Sequence, residues 1–245
     1  MKLRHILFTM ALAVTCSSKV FAADDVLRVA TDATFPPFEY VDNGKRTGFD
    51  VEMIEALGKA MGKKIEWTDI DFKGLIPAVL SKRVDVAASA IYITDERLKV
   101  VNFTHPYYTG GLAILVKADN TSIKEPADLA GKKVSVQVGT KSVQFLKESY
   151  PKVERVEVEK NDQMFELVKI GRADAAVTGK PAALLYAKAN PGVKVLDKTL
   201  TVERYGFAVR KGDTELTNEM NKALEKVRAD GTYAALVSKY FGTAK

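Results

Sequence analysis

The sequence predicts an α/β fold in which mostly parallel sheets carry helices on their faces and the pattern occurs twice. Three observations lead there. Short apolar strands alternate with amphipathic segments of helical period from 26 to 91, and the alternation restarts at 112. Two joints also read alike: LSKRVDVAA at 80–88 and KIGRADAA at 169–176 are each a helix end, an Arg-x-Asp turn and an apolar strand. Asp85 and Asp174 in these joints are expected to be turn residues rather than ligands.

The elements follow in order. Residues 26–31 alternate as a strand and run into the loop DATFPPF at 32–38. Residues 49–61 place Val51, Ile54, Leu57 and Met61 on one helix face. A strand at 65–68, a short helix at 75–80 and a strand at 84–91 complete a β-α-β-α-β unit, which requires parallel strands and crossover helices. In the second half, strands are expected at 112–117, 133–138, 153–158 and 173–178, with helices at 142–150, 163–170 and 181–189. A strand at 205–209 and helices at 215–230 and 233–241 form a tail too short for a lobe of its own, so it is expected to pack on one already built.

The first 22 of the 245 residues read as a secretory signal peptide: cations at Lys2 and Arg4, an apolar run at 6–14, and VFA before Ala23, with cleavage expected after Ala22. A lipoprotein reading at Cys16 is the alternative, weakened by Thr15 before it. Removing this segment leaves 223 residues with 34 basic and 31 acidic side chains, a charge of +3. So small an excess, spread along the chain, suggests neither nucleic acid nor a membrane surface as partner. Cys16 is the only cysteine and His105 the only histidine after the leader, which argues against disulfides, a Cys/His metal centre and Ser-His-Asp chemistry. No later apolar run approaches the ~20 residues of a spanning helix.

Ligands of open parallel sheets bind beyond the carboxyl ends of the strands. That rule nominates loops at 32–38, 71–74, 90–97, 138–142 and 178–180. In SAIYITDER at 89–97, Thr94 is the expected N-cap, and Asp95 and Glu96 suit a helix start, whereas Arg97 opposes the helix dipole. The plainer reading pairs Arg97 with Asp95 or another nearby acid; the functional one has Arg97, Thr94 and loop N–H groups hold a carboxylate from outside the chain. Thr140, at a second helix start after Gly139, could join the same anion, although the loop lacks the spacing of a nucleotide-binding motif. Phe35 and Phe72 follow strand ends and could wall a pocket, and Tyr92 would fill space there. Asp32 faces the inferred cleft, while Glu39 is expected to be a local hydrogen-bonding residue and Phe38 a packing residue.

The segments ATDATFPPFE (30–39), GFDV (48–51), DFKGLIP (71–77), ITDER (93–97), FTHPYY (103–108), VGT (138–140), GRAD (171–174) and DGTY (230–233) before YFG (240–242) resemble the periplasmic polar amino-acid-binding proteins that feed ABC importers, above all the glutamine-binding group. The resemblance covers the chain beyond the leader. It implies the type II two-lobed fold, joined by two hinge strands, with lobe one at 23–109 and 206–245 and lobe two at 110–205. It implies a monomeric periplasmic carrier without cofactor or catalysis, whose partners are an amino acid and an inner-membrane permease. Asp32, Phe35 and Phe72 would meet the ligand's distal part. Ala90, Tyr92, Thr94 and above all Arg97 would take its α-carboxylate, helped by Gly139 and Thr140, and Thr178 would lie beside the amine.

One departure bears on the ligand. The family's aspartate for the α-ammonium falls at Gly179, followed by Lys180; Tyr92 and Lys141 replace small residues. Either the ligand is a carboxylate without an amine, or the amine turns toward Asp32, as inversion at the α-carbon would make it do. The second reading predicts a small amino acid, D-alanine or glycine. A cyclohexadienyl dehydratase-like enzyme on the same scaffold is the competing class, disfavoured because Gly179 removes the carboxylate best placed as a general acid.

Overall fold

The computed structural model describes residues 26–242; the expected signal peptide at 1–22 lies outside the described residues. In chain order the elements are β1 (Val26–Thr31), β2 (Thr34–Phe35), β3 (Glu39–Asp42), β4 (Lys45–Thr47), α1 (Phe49–Met61), β5 (Lys64–Asp69), α2 (Phe72–Leu80), β6 (Val86–Ala87), α3 (Asp95–Val100), β7 (Val101–Phe103), β8 (Tyr108–Gly110) and β9 (Leu112–Lys117). After a 3-10 turn at Pro126–Leu129 come β10 (Lys133–Gln137), α4 (Lys141–Ser149), β11 (Glu154–Val158), α5 (Asn161–Lys169), β12 (Ala175–Gly179), α6 (Lys180–Ala189) and β13 (Val193–Val195). The chain closes with β14 (Glu203–Tyr205), β15 (Ala208–Arg210), α7 (Thr214–Ala229) and α8 (Thr232–Phe241).

Two five-stranded sheets share one plan. The first has the order β5-β1-β6-β15-β7 and the second β11-β10-β12-β9-β13. In each, four strands run in one direction and the fourth in order is antiparallel to its neighbours on both sides. That fourth strand is the one arriving from the other lobe: β9 enters the second sheet after the first lobe is built, and β15 returns to the first. The two crossing segments also pair with each other, β8 against β14, as a two-stranded antiparallel ribbon. Just beyond it the backbones lie so close that a side chain on Gly111 would collide with the carbonyl of Thr201.

The two sequence joints do the same structural work. Asp85 accepts hydrogen bonds from the backbone N–H of Arg28 (3.0 Å) and from its guanidinium (2.7 Å); Asp174 accepts from the N–H of Lys133 (2.8 Å). Each aspartate therefore ties the turn after a helix to the first residues of the neighbouring parallel strand.

Helix faces read from the 3.6 period are buried as expected: Met53, Ile54 and Leu57 of α1 pack with Met220, Leu224 and Val227 of α7 in one apolar core. Leu115, Met164, Phe165 and Val168 form a separate core under the second sheet. Fully burying a side chain of this kind stabilises the fold by about 1.5–3 kcal/mol.

Three expectations needed correction. The strand expected at 84–91 is regular only at Val86–Ala87, because the chain reaches Ala90 with φ 45 and turns its N–H to Asp50. The strand expected at 205–209 is broken at Gly206, where the chain leaves the β8–β14 ribbon for the first sheet. The loop after β1 contributes β2 to a three-stranded antiparallel meander with β3 and β4.

Candidate functional site

The cleft between the sheets holds a small cavity, with room of about 40 Å³ for the centres of water molecules. A single water needs roughly 10–15 Å³ on that measure, so the space admits about three waters. Of the residues expected from sequence, Asp32, Phe35, Phe72, Ala90, Tyr92 and Arg97 border it from the first lobe. Thr140, Lys141, Thr178 and Gly179 border it from the second.

Arg97 sits in the first turn of α3. Thr94 caps that helix as expected, its Oγ1 accepting from the N–H of Arg97 at 3.3 Å. The guanidinium turns back beneath the cap, donating to the carbonyl of Tyr92 (2.9 Å) and, across the cleft, to that of Gly139 (3.2 Å). It also lies 5.5 Å from the ring centroid of Phe72. No carboxylate among the described residues lies within ion-pair distance of it, so the plainer pairing with Asp95 is not made. Loss of water draws its pKa down to about 10, and it remains a cation at neutral pH. A half-buried cation held by two carbonyl oxygens and the Phe72 ring, with no acid beside it, has donors left for an anion.

Thr94 and Gly139 take supporting places rather than places on the cavity wall. Both border an adjoining surface groove, with Thr94 holding the helix start and Gly139 presenting its carbonyl to Arg97. Ala90 borders the cavity, but its N–H is spent on Asp50 Oδ2 at 2.8 Å. The hydroxyl of Thr140 is turned to the carbonyl of Gln137 at 2.7 Å, which leaves the N-terminal N–H groups of α4 as the polar groups of that loop. Lys180 points away, donating to Thr199 Oγ1 and the carbonyl of Asp197.

Asp32 is 2% exposed, and its carboxylate is fully engaged within the protein. Oδ1 accepts from Thr34 Oγ1 (3.1 Å) and Lys160 Nζ (2.8 Å); Oδ2 accepts from the N–H of Phe72 (3.1 Å) and Gln137 Nε2 (2.8 Å). Two of these donors, Lys160 and Gln137, come from the opposite lobe. In this structure its lone pairs serve four donors and its charge is met by Lys160, so the ligand amine expected at Asp32 meets no free acceptor there.

The site beside Gly179 is also occupied. A Cβ placed on Gly179 would sit 3.1 Å from Phe35 Cζ, 3.2 Å from Tyr205 OH and 3.3 Å from Tyr92 OH. The two phenols hydrogen-bond to each other at 3.0 Å, with ring centroids 4.5 Å apart. A methyl group at this position would press on three side-chain tips, and the phenol pair fills the room a larger residue would use.

Several wall residues escaped sequence reading. Tyr205, Gln137, Asn161 and Ser89 border the cavity, as does Glu39. Asn161 donates to Gln137 Oε1 and so fixes the amide that reaches Asp32. Glu39 is 1% exposed; Ser89 Oγ donates to its Oε1 at 2.9 Å, and Oε2 has no partner. Burial, followed by the charge of Asp50, pushes its pKa well above the usual carboxylate range.

Comparisons with known proteins agree with the two-lobed α/β fold. An ancestral arginine-binding protein bound to arginine superposes with a TM-score of 0.86 at 46% identity, over 89% of this chain and 99% of the other. The ancestral amino acid-binding protein AncCDT-1, a precursor of cyclohexadienyl dehydratase, gives 0.84 at 45% identity, over 89% and 96%. The L-cystine-binding protein TcyJ of Escherichia coli is 33% identical over 99% of this chain and 98% of its own. Residues 27–243 match the bacterial extracellular solute-binding proteins, family 3, and the chain belongs to that family.

Proposed function

We propose that this protein captures a small amino acid, D-alanine or glycine, in the periplasm and delivers it to an inner-membrane ABC importer. The observation that carries the reading is the size of the cavity at Arg97. Phe35, Tyr92 and Tyr205 crowd one side, and the Lys160–Asp32–Gln137 cluster closes another. Arg97 receives the ligand carboxylate, with the N-terminal N–H groups of α4 assisting from the second lobe. Because these groups belong to different lobes, a ligand touching both favours the closed cleft. The bodies that move are residues 23–109 with 206–245, and 110–205, hinged at the β8–β14 ribbon.

The relatives are binding proteins, and TcyJ and the ancestral proteins are named for amino acids rather than for turnover. Calorimetric titration of the purified protein with L- and D-amino acids tests the proposal, after native mass spectrometry has read any ligand retained from the cell. Tight binding of glycine or D-alanine is the expected result. Tight binding of L-glutamine or L-arginine with D-alanine inert would overturn it, and turnover of prephenate or arogenate would favour the enzyme instead.

A further inference from the structure

Two carboxylates border the cavity, Asp32 and Glu39. Asp32 has no capacity left, since Lys160, Gln137, Thr34 and the Phe72 N–H use both its oxygens. Glu39 differs. It is the first residue of β3, buried, and held by Ser89 through one oxygen only, while the other is buried and without a partner. Buried polar atoms are nearly always paired, and this oxygen, itself buried, belongs to a residue on the cavity wall, the side from which a donor can arrive. On the Gly179 side no carboxylate is offered; the nearest groups are Phe35 and the two phenols.

We propose that Glu39 is the acceptor of the ligand's ammonium group, so that an amino acid is held between Arg97 and Glu39 across one small cavity. This rests on the reading of the site as one for a small amino acid. Ser89 orients the carboxylate, and Ser89 Oγ in turn accepts from the N–H of Asp32 at 3.1 Å, which ties Glu39 to the end of β1.

A second carboxylate stands behind Glu39 and shapes the exchange. Asp50 of α1 does not border the cavity; its Oδ2 accepts from Tyr107 OH (2.6 Å) and the Ala90 N–H, and its Oδ1 is unpartnered. Asp50 and Asp32 both act on Glu39 by charge, Ser89 stabilises its ionised form, and Arg97, Tyr92 and Tyr205 line the same cavity. With no cation in the cavity, burial and the two like charges keep a proton on the Glu39–Asp50 pair. An arriving ammonium supplies the positive charge instead, and the proton leaves to solvent. Binding therefore releases a proton and strengthens as pH rises toward the range where the pair ionises unaided.

The test is calorimetry on the full chain with D-alanine and with propionate, its counterpart without the amine, in buffers of different ionisation enthalpy. Wild type is expected to release a proton on taking up D-alanine and none with propionate. Glu39→Gln is expected to weaken D-alanine by about 100-fold or more, as for removal of one partner from a buried pair. The same variant should leave propionate within about threefold and abolish proton release. Asp50→Asn, which keeps Glu39, should retain D-alanine binding and move its pH dependence to lower pH. D-alanine binding by Glu39→Gln within about threefold of wild type, equal losses for both ligands, or uptake without proton release overturns the assignment. If wild type ignores glycine, D-serine and D-alanine but binds a larger amino acid, only the small-ligand reading fails. The same comparison on that amino acid and its des-amino analogue then decides Glu39. Binding of amine-free carboxylates alone would overturn both.

Discussion

Lys160 Nζ lies 2.8 Å from Asp32 Oδ1 and 2.7 Å from Asp71 Oδ1, so one cation of the second lobe meets two carboxylates of the first. Asp32 is buried and Lys160 only part-buried, which makes the contact both a tie across the cleft and an internal counter-charge. A ligand with a basic side chain finds this carboxylate neutralised before it arrives, and a second cation beside Lys160 would be repelled.

Replacing Lys160 by Ala should therefore broaden the site. L-Arginine and L-lysine are expected to gain about tenfold or more in affinity, the usual scale for relieving a built-in repulsion. Small amino acids should lose affinity, because closure forfeits a tie between lobes. Competition calorimetry reads both; unchanged rejection of basic amino acids would show that Lys160 does not set the preference.

Arg97→Ala is expected to weaken any carboxylate ligand by about 100-fold or more, and Arg97→Lys to recover little, because an ammonium cannot supply the planar two-pronged donor. Stability should barely change, with the melting temperature moving by less than about 3 °C, since the guanidinium pairs only with two carbonyls and no acid. A large loss of stability together with intact binding would relocate the anion site.

Gly179→Ala places a methyl group 3.1–3.3 Å from Phe35, Tyr205 and Tyr92. Overpacking of this kind costs about 1–3 kcal/mol, and binding should weaken as the phenol pair is displaced into the cavity. Adding Tyr92→Phe removes one of the three crowding atoms and should recover part of both losses. Urea unfolding of the single and double variants measures the coupling; purely additive effects would mean that Tyr92 and Gly179 do not share this space.

Much of this was legible in the sequence, and the rest was hidden for identifiable reasons. Helix periodicity located α1 with both its ends, and the repeated Arg-x-Asp joint marked the same strand-to-turn tie in each lobe. The misplaced charge of Arg97 singled out the proposed anion end of the site. The proposed amine end did not show, because the two candidate acids look alike in sequence and differ only in their partners. Asp32 is saturated by Lys160 and Gln137, more than a hundred residues away, and no local pattern reports that. Glu39 reads as a local hydrogen-bonding residue because PPFE reads as a loop, whereas the chain forms a meander whose first β3 residue turns inward to Ser89, far along the sequence. Likewise Tyr205 reads as an ordinary strand residue until the β8–β14 ribbon carries it to the cavity wall.

The buried acids also make stability depend on pH in a direction opposite to acid denaturation. Burial raises Asp50 to about 7, although Tyr107 OH and the Ala90 N–H favour its ionised form; Glu39 is raised as well. An unfolded aspartate titrates near ~4, so between the two values the folded chain keeps a proton that the unfolded chain has lost. Stability from this pair is thus fully present below the unfolded pKa, declines as pH rises, and levels off once the folded pKa is passed. The slope is at most roughly 1.4 kcal/mol per pH unit for each group. Asp85 acts in the other sense: despite the cost of its partial burial, Arg28 holds it below the ordinary value, so its contribution fades only in acid. Asp50→Asn preserves acceptance from Tyr107 and Ala90 and needs no charge at the unpartnered oxygen. Thermal melts of the ligand-free protein should show wild type losing stability from about pH 4 to 7 and the variant losing less, by roughly 1–3 kcal/mol at the upper end. Identical pH profiles for the two proteins would mean that Asp50 is ionised in the folded state at little cost.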